Sequence, residues 1–179
     1  MVTALLSPSE LARRARTVRL VVTDCDGVLT DAGVYYSAEG EVMKRFCLRD
    51  GMGVSRLCEV GVETGIMTGE TSPSVVKRAE KLGITRVWLG VERKAEALAR
   101  ALREGGYEAS EVAYIGDDYN DLDVIRLVAP HGLTGAPRDA MPAVLAEVHH
   151  RSEVDGGHGA FRDFAEWILL ARRLESPLP

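Results

Sequence analysis

The sequence is poor in cysteine, has no long hydrophobic run and carries no excess of positive charge. Its three cysteines are an odd number without CxxC spacing, which favours a reducing compartment over a disulfide-bonded scaffold, so we expect a cytoplasmic protein. The most apolar late segment, 164–171, contains a glutamate and is far shorter than the roughly 20 residues that span a bilayer. Several arginines follow only a short apolar patch at the start, so no signal peptide is readable. We expect no association with a membrane.

The charge balance restricts the possible partners. The net charge is -5, from 22 Lys+Arg and 27 Asp+Glu, and it leaves no extended basic surface, so we do not expect a nucleic-acid partner. Small anionic substrates remain open, because a metal ion and a few local cations can overcome a mild negative charge. With 179 residues, 46% of them hydrophobic, the chain can bury one substantial core, and we expect a single domain over 1–179.

Short apolar runs alternate with helical patterns along most of the chain. Four of these runs are predicted to be buried strands, and they begin at Leu20, Glu63, Arg86 and Val112. The alternation indicates right-handed βαβ units, and therefore an α/β fold with a doubly wound, Rossmann-like parallel sheet. Two β-prone runs around Glu39-Gly40 additionally predict a β-hairpin over about 33–46.

Polar side chains are grouped at the predicted strand ends or at the start of the following helix. These groups are Asp24 with Asp26, then Thr68, then Lys94, and finally Asp117-Asp118 with Asp121. One aspartate after a strand is often only a turn residue or a helix cap. Four such groups are harder to explain in that way, because ligands of open parallel sheets bind beyond the carboxyl ends of the strands.

The residue types in these groups are those that phosphoryl transfer requires. Asp24 is the predicted nucleophile, and Asp26, two residues later, is the predicted general acid and then general base. The adjacent carboxylates Asp117-Asp118 repel each other unless a cation lies near them, and Mg²⁺ suits such a site. Thr68 is predicted to bind a phosphoryl oxygen and Lys94 to neutralise its charge. Together they predict catalysis through an aspartyl-phosphate.

The order and spacing of these groups resemble the four motifs of the haloacid dehalogenase superfamily phosphatases. The matching segments are Asp24-Cys25-Asp26-Gly27-Val28-Leu29-Thr30-Asp31, Met67-Thr68-Gly69, Lys94 and Gly116-Asp117-Asp118-Tyr119-Asn120-Asp121. The resemblance covers nearly the whole chain. It implies that Mg²⁺ is held by Asp24, the main-chain carbonyl of Asp26 and Asp117, with Asp118 and Asp121 supporting it.

The spacing between the motifs leaves no room for a cap domain. The segments that separate Asp24, Thr68 and Asp117 are already occupied by the hairpin, the helices and one strand. An uncapped site needs another cover, and the hairpin is the only projecting element in the prediction. In the capless subfamily that the chain resembles, this hairpin covers a neighbour's active site in a ring-shaped tetramer. We therefore expect a homo-oligomer, most simply a tetramer.

Two further segments are similar to 3-deoxy-D-manno-octulosonate 8-phosphate phosphatases and to their nonulosonate 9-phosphate relatives. They are Phe46-x-x-Arg49-Asp50-Gly51-x-Gly53 and Gly156-Gly157-x-Gly159-Ala160-x-Arg162. The resemblance makes Arg49 and Arg162 candidate contacts for a phosphorylated sugar acid, with the tail glycines lying close to that ligand. The alternative for the tail is a flexible linker before the last helix.

One departure from the octulosonate pattern bears on the substrate. Those enzymes usually have arginine directly after Thr-Gly, whereas here Gly69 is followed by Glu70, with Lys81 on the next helix. This combination resembles the branch that acts on nine-carbon acids, and it makes Gly69, Glu70 and Lys81 candidate substrate-binding residues. The favoured substrate is therefore a 2-keto-3-deoxynononate or N-acetylneuraminate 9-phosphate, and the alternative is the octulosonate 8-phosphate.

Two non-catalytic alternatives are also open. A receiver-type phosphoacceptor domain also combines acidic strand ends with threonine and lysine, but it has no need for a general acid such as Asp26. An idle assembly domain, like those fused to some sialic-acid cytidylyltransferases, would lack motif residues, and none is missing here. Within enzymes, a broad-specificity phosphatase is the remaining alternative.

Overall fold

The computed structural model describes residues 6–174, which form a six-stranded parallel sheet, a separate β-hairpin and seven α-helices. The strands are β1 (Leu20–Thr23), β2 (Val34–Ser37), β3 (Gly40–Lys44), β4 (Glu63–Met67), β5 (Arg86–Trp88), β6 (Val112–Ile115), β7 (Leu133–Ala136) and β8 (His150–Arg151). The helices are α1 (Pro8–Thr17), α2 (Leu48–Cys58), α3 (Pro73–Leu82), α4 (Lys94–Gly105), α5 (Leu122–Val128), α6 (Pro142–Leu145) and α7 (Ala160–Arg173). Single 3₁₀ turns cover Ala109–Glu111 and Tyr119–Asp121.

The large sheet has the strand order β5-β4-β1-β6-β7-β8, and all its pairings are parallel. Strand β1 lies at the centre, and its alternating side chains enter two different cores. Val21 packs with α1, α2, α3 and α7 on one face, whereas Leu20 and Val22 pack with α4, α5 and α6 on the other. A strand covered on both faces needs a continuous apolar sequence, which explains its composition. The predicted doubly wound α/β fold is confirmed.

The helix boundaries follow local signals in the sequence. Ser7 accepts a hydrogen bond from the Glu10 amide at the start of α1, and α3 ends at Gly83, whose φ of 69° is left-handed. The helix predicted around 140–147 is shorter in the structure, where α6 covers Pro142–Leu145. Strand β8 has only two residues and therefore carries no periodic pattern that could predict it. Within residues 6–174, no helix combines the length and apolar character that crossing a bilayer requires.

The hairpin formed by β2 and β3 lies within the predicted range 33–46 and belongs to no other sheet. Its outward surface is apolar, with exposed fractions of 60% for Tyr35 and 71% for Tyr36, and with Val42 and Met43 also exposed. The side chain of Lys44, by contrast, is completely buried. The hairpin thus turns apolar side chains outward and a cation inward, the reverse of the usual arrangement. The projecting hairpin and the capless fold are both as predicted.

Candidate active site

Asp24 lies directly beyond the carboxyl end of the central strand β1. Its amide donates to the carbonyl of Ile115 at 2.9 Å, which continues the pairing of β1 with β6 by one residue. Its Oδ1 accepts a hydrogen bond of 2.7 Å from the Cys25 amide, and its Oδ2 lies 2.7 Å from Lys94 Nζ. The predicted nucleophile is therefore a buried carboxyl group held in one orientation from two sides.

Lys94 begins helix α4 and is almost completely buried, with its Nζ 2.7 Å from both Asp24 Oδ2 and Asp121 Oδ1. Burial by itself lowers the pKa of a lysine, but the two neighbouring carboxylates outweigh it and the pKa of Lys94 is raised. The side chain is therefore an ammonium ion at neutral pH. It lies where the sequence predicts a cation for the transferred phosphoryl group.

Asp121 is fully buried and uses both of its oxygens to hold neighbouring groups. Its Oδ1 accepts from Lys94 and from the Tyr114 hydroxyl at 2.6 Å. Its Oδ2 accepts from the amides of Asp117 at 2.9 Å and Asp118 at 3.2 Å. Asp121 thus fixes the loop that carries Asp117, and its role in supporting a metal ion stays a prediction. Sequence reasoning missed Tyr114, because a tyrosine in an apolar strand gives no sign that its hydroxyl binds a carboxylate.

Three carboxyl groups converge at this edge of the sheet. One oxygen each from Asp24, Asp117 and Asp121 lies within 4.8 Å of the others, and Asp117 Oδ1 is buried without a hydrogen-bond partner among the described residues. Burial, then repulsion from neighbouring carboxylates, raises the pKa of Asp117 to about 8. The same two causes raise the pKa of Asp24 to about 7, although Lys94 acts in the opposite direction. A hard cation would satisfy the free oxygen and favour ionisation, so these residues fit Mg²⁺.

Two further details concern the loops around this cluster. Gly27 has a φ of 85°, and a Cβ there would lie 1.9 Å from Asp117 Oδ2, so only glycine allows the two loops to approach this closely. Asp118 is exposed, and its Oδ1 accepts from the Tyr119 amide at 2.6 Å. Asp118 therefore shapes the 3₁₀ turn that leads to Asp121, and its carboxylate is not part of the cluster of three.

Asp26 is held by a residue that the sequence did not single out. Its Oδ1 lies 2.5 Å from Lys44 Nζ on strand β3 and 3.3 Å from the Thr30 hydroxyl, which donates to it. Its Oδ2 is buried and has no hydrogen-bond partner within residues 6–174. No sequence signal distinguishes Lys44, because exposed hairpin side chains include polar ones such as Ser37 and Arg45 as well as apolar ones.

Thr68 directly follows strand β4 at the same edge of the sheet. It is buried, and its Oγ1 accepts from the Glu70 amide at 3.1 Å, so its own hydroxyl proton is not used in that bond. Gly69 and Glu70 follow directly and are exposed, which leaves both accessible to a ligand at this edge. The structure therefore brings Thr68 and the candidate substrate residue Glu70 to the same side as Asp24.

The other candidate substrate residues are not all grouped there. Lys81 is exposed in the last turn of α3, and the next residues, Leu82 and Gly83, line a cavity with Glu63 at the beginning of β4. Within one chain, Lys81 therefore lies at the amino edge of the sheet. The opposite edge, which carries Asp24, Thr68 and Asp117 beyond the carboxyl ends of the strands, is the catalytic edge.

The two candidate arginines differ in their surroundings. Arg49 is exposed in the first turn of α2, and its side-chain carbons lie close to Gly159 of the tail. The Arg162 guanidinium lies 2.8 Å from Glu166, one turn along α7, while its amide donates to Asp50 at 3.0 Å. The Arg162 side chain is thus committed to an ion pair on α7 and is not among the grouped residues.

The glycine-rich tail packs against the loop that carries the nucleophile. The Gly157 amide donates to the Val28 carbonyl at 2.9 Å, and a Cβ on Gly156 would lie 1.9 Å from the Gly27 carbonyl oxygen. The tail is therefore no free linker. Its glycines allow a close approach to the chain's own backbone, whereas the resemblance implied an approach to a ligand.

No family model matches the chain, but individual proteins do. The 3-deoxy-D-manno-octulosonate 8-phosphate phosphatase KdsC of Haemophilus influenzae is 36% identical over 162 residues, which cover 90% of this chain and 88% of that protein. The chain belongs to the KdsC family. This placement confirms the predicted haloacid dehalogenase superfamily and the predicted enzyme class, a phosphoric monoester hydrolase.

Solved structures of KdsC proteins share the fold. The Moraxella catarrhalis phosphatase, in complex with a magnesium ion, a phosphate ion and a KDO molecule, has a TM-score of 0.85 and 34% identity, covering 92% of each chain. The cobalt-bound Haemophilus influenzae phosphatase has a TM-score of 0.84 and 36% identity, covering 89% of this chain and 91% of that one. These metals and the acidic cluster of this chain agree with the predicted Mg²⁺ cofactor. The activity named for these relatives supports octulosonate 8-phosphate, the alternative substrate. It does not support the favoured nine-carbon substrate, which rested on Glu70 and Lys81.

Proposed function

We propose that the protein is a Mg²⁺-dependent phosphatase that hydrolyses 3-deoxy-D-manno-octulosonate 8-phosphate through an aspartyl-phosphate on Asp24. The observation that carries the proposal is the fixed Asp24 carboxyl beside the Lys94 ammonium and the Asp117 oxygen, which has no hydrogen-bond partner within residues 6–174. Asp24 is thus a nucleophile beside two groups that counter the negative charge of phosphate: the Lys94 ammonium, and the Mg²⁺ that Asp117 would bind. The substrate comes from the KdsC relatives, including the one bound to a KDO molecule.

The first step joins Asp24 to phosphorus. The Asp24 carboxylate attacks the phosphoryl group, the ester P–O bond breaks, and Asp26 gives its proton to the departing sugar oxygen. The Thr68 hydroxyl donates to one phosphoryl oxygen, and Lys94 balances the charge on the others. Mg²⁺, held by Asp24, the Asp26 carbonyl and Asp117, would supply Lewis-acid stabilisation of that charge.

The second step releases phosphate. Asp26, now a carboxylate, takes a proton from water as the water oxygen attacks phosphorus. The bond between phosphorus and the Asp24 oxygen breaks, which regenerates the Asp24 carboxylate and frees inorganic phosphate. Asp118 and Asp121 support both steps by holding the loop that carries Asp117.

Asp24→Asn tests the nucleophile. The amide cannot form an acyl phosphate, so we expect kcat to fall by about 10³-fold or more, with no acid-stable phosphate label on the protein. Asp123→Asn is the matched control, because the Asp123 side chain is exposed, pairs with Arg126 and is not one of the three clustered carboxyl groups. Undiminished turnover by purified Asp24→Asn would refute the assignment.

The substrate is tested by measuring phosphate release from the octulosonate 8-phosphate and from the two nonulosonate 9-phosphates, with Mg²⁺ and with EDTA. We expect the highest kcat/KM for the eight-carbon acid. A clear preference for a nine-carbon acid would instead assign substrate specificity to Glu70 and would make Lys81 a candidate substrate contact again. Glu70→Gln, with the exposed Glu80→Gln as control, then measures what Glu70 contributes to the choice.

We also propose that the chain acts as a single domain in the cytoplasm and assembles into a homotetramer through the hairpin. The support is an apolar surface formed by exposed side chains of the hairpin and the start of α2, namely Tyr35, Tyr36, Val42, Met43, Leu48 and Met52. Light scattering should give four times the chain mass. Tyr36→Glu should reduce that mass and the turnover together, whereas Val60→Glu, at an exposed apolar residue elsewhere, should not. A fully active monomer would refute the assembly.

A further inference from the structure

The innermost side chain of the hairpin contacts the predicted general acid. Lys44 Nζ lies 2.5 Å from Asp26 Oδ1 and 3.8 Å from Glu41 Oε2, and no part of the Lys44 side chain is exposed. A buried ammonium ion is stable only when acceptors satisfy it, so this lysine depends on Asp26 for its place. A hairpin that needed only to be seated could use an apolar side chain here at lower cost.

The contact gives the two carboxyl oxygens of Asp26 different hydrogen-bond surroundings. Oδ1 faces the Lys44 ammonium and the Thr30 hydroxyl, both of which donate to it, whereas Oδ2 is buried without a partner in the described part of the chain. An ammonium has no lone pair, so a proton on Oδ1 would point at another donor. The proton that Asp26 transfers must therefore lie on Oδ2.

Two further contacts fix where Lys44 can lie. On one side of it, the Glu41 carboxylate accepts a hydrogen bond from the Ser72 hydroxyl, just before helix α3. On the other side, Arg45 Nε lies 2.9 Å from Asp31 Oδ2, which belongs to the same loop as Asp26. The Ser72 side chain makes no capping hydrogen bond to the amides of α3, so its hydroxyl serves the hairpin. The position of the ammonium is thus set by how the hairpin is seated.

We propose that Lys44 is a positioning residue for proton transfer: it binds Oδ1 of Asp26, which leaves Oδ2 to protonate the leaving oxygen, and so couples that step to the seated hairpin. The inference rests on the proposed function, in which Asp26 is the general acid. It predicts a dependence on the leaving group. A sugar alkoxide leaves only with a proton, whereas a nitrophenolate leaves without one.

The test compares Lys44→Met with the unsubstituted enzyme on octulosonate 8-phosphate and on p-nitrophenyl phosphate. Methionine has a similar length but no charge or donor. We expect kcat/KM for the sugar phosphate to fall about 10²-fold, mainly through kcat, and that for the aryl phosphate to fall less than about 5-fold. Lys77→Met is the matched control, because Lys77 is 79% exposed, and it should change neither value. Lys44→Arg, which keeps the cation, should recover part of the sugar-phosphate rate.

The outcomes separate the inference from the function on which it rests. Equal losses on both substrates, or no loss on either, would overturn the positioning role of Lys44. Asp26→Asn should show the same selectivity for leaving groups. If Asp26→Asn shows it and Lys44→Met does not, the inference alone fails. If Asp26→Asn lacks it, the proposed acid is wrong.

A second variant tests the same coupling even if Lys44→Met does not fold. Ser72→Ala removes only the hydroxyl that holds Glu41, and it should show the same selectivity with a loss of a few-fold. If Lys44→Met proves unfolded by circular dichroism and Ser72→Ala loses both activities equally, the coupling to the hairpin is refuted.

Discussion

Replacing Asp121 with asparagine would remove one of the two accepting oxygens that join Lys94, Tyr114 and the loop that carries Asp117. The fully buried carboxylate accepts from Lys94 and Tyr114 through one oxygen and from the amides of Asp117 and Asp118 through the other. Asparagine has the same shape but only one accepting oxygen. Whichever way the amide turns, its NH₂ group faces two donors that have lost their acceptor.

The cost follows from this geometry. Each buried donor left unsatisfied costs about 1–3 kcal/mol, and more when it is the Lys94 ammonium. We therefore expect a loss of about 3–5 kcal/mol in the free energy of unfolding, a large part of the 5–15 kcal/mol or so that is typical of a domain. For a chain of this size, such a loss lowers Tm by about 6 °C or more. Relief of repulsion with Asp24 and Asp117 acts in the opposite direction.

The assay is urea and thermal unfolding followed by circular dichroism, with saturating Mg²⁺ and with EDTA. The loss should be larger with Mg²⁺, because a bound cation already removes the repulsion that the substitution would relieve. Asp123→Asn, an exposed change of the same kind, should leave Tm unchanged. A difference below about 0.5 kcal/mol between Asp121→Asn and the unsubstituted protein would refute the reasoning, since that is the size of an ordinary surface effect.

Three other predictions follow from the site and the core. Gly27→Ala places a methyl group on Asp117 and should raise the Mg²⁺ concentration needed for activity about 10-fold or more. Gly61→Ala should not, because Gly61 has a similar φ of 75° but nothing within 4 Å. Mg²⁺ should raise Tm and EDTA should reverse the rise; identical melting curves would contradict the acidic metal site. Burial lowers the pKa of His149 from 6.5 to about 4, so the unfolded state binds its proton first and stability should fall as pH drops from about 6.5 towards 4. His149→Asn should flatten that fall by at most about 1.4 kcal/mol per pH unit in urea titrations, and the exposed His131→Asn should leave it unchanged.

The catalytic edge was predictable because a parallel sheet gives all its strands one direction. Asp24, Thr68 and Asp117 each follow a strand, so their convergence needs no knowledge of side-chain packing. Lys44 was not predictable in the same way. Alternation along a hairpin tells which residues share a face, but not which face turns towards the body of the protein.

The position of Lys81 shows that a match of residue types to a motif does not by itself predict where a side chain lies in the fold. A helix that starts beside the catalytic edge at Ser72-Pro73 and ends at Gly83 must carry its last turn to the opposite edge. The direction of α3 was available in its capping residues. The pairing of Arg162 with Glu166, in contrast, depends on the choice among side-chain conformers and has no signal in the motif.

The packing of Gly156 and Gly157 against the nucleophile loop also has a consequence for how the protein is made. A ribosome delivers the Asp24 loop well before the Gly156-Gly157 segment that packs against it at Gly27 and Val28. Contacts between such distant parts of a chain form late and slow folding. A nascent chain should therefore have no ordered catalytic loop until the Gly156-Gly157 segment has left the ribosome, so phosphatase activity should appear only after that point.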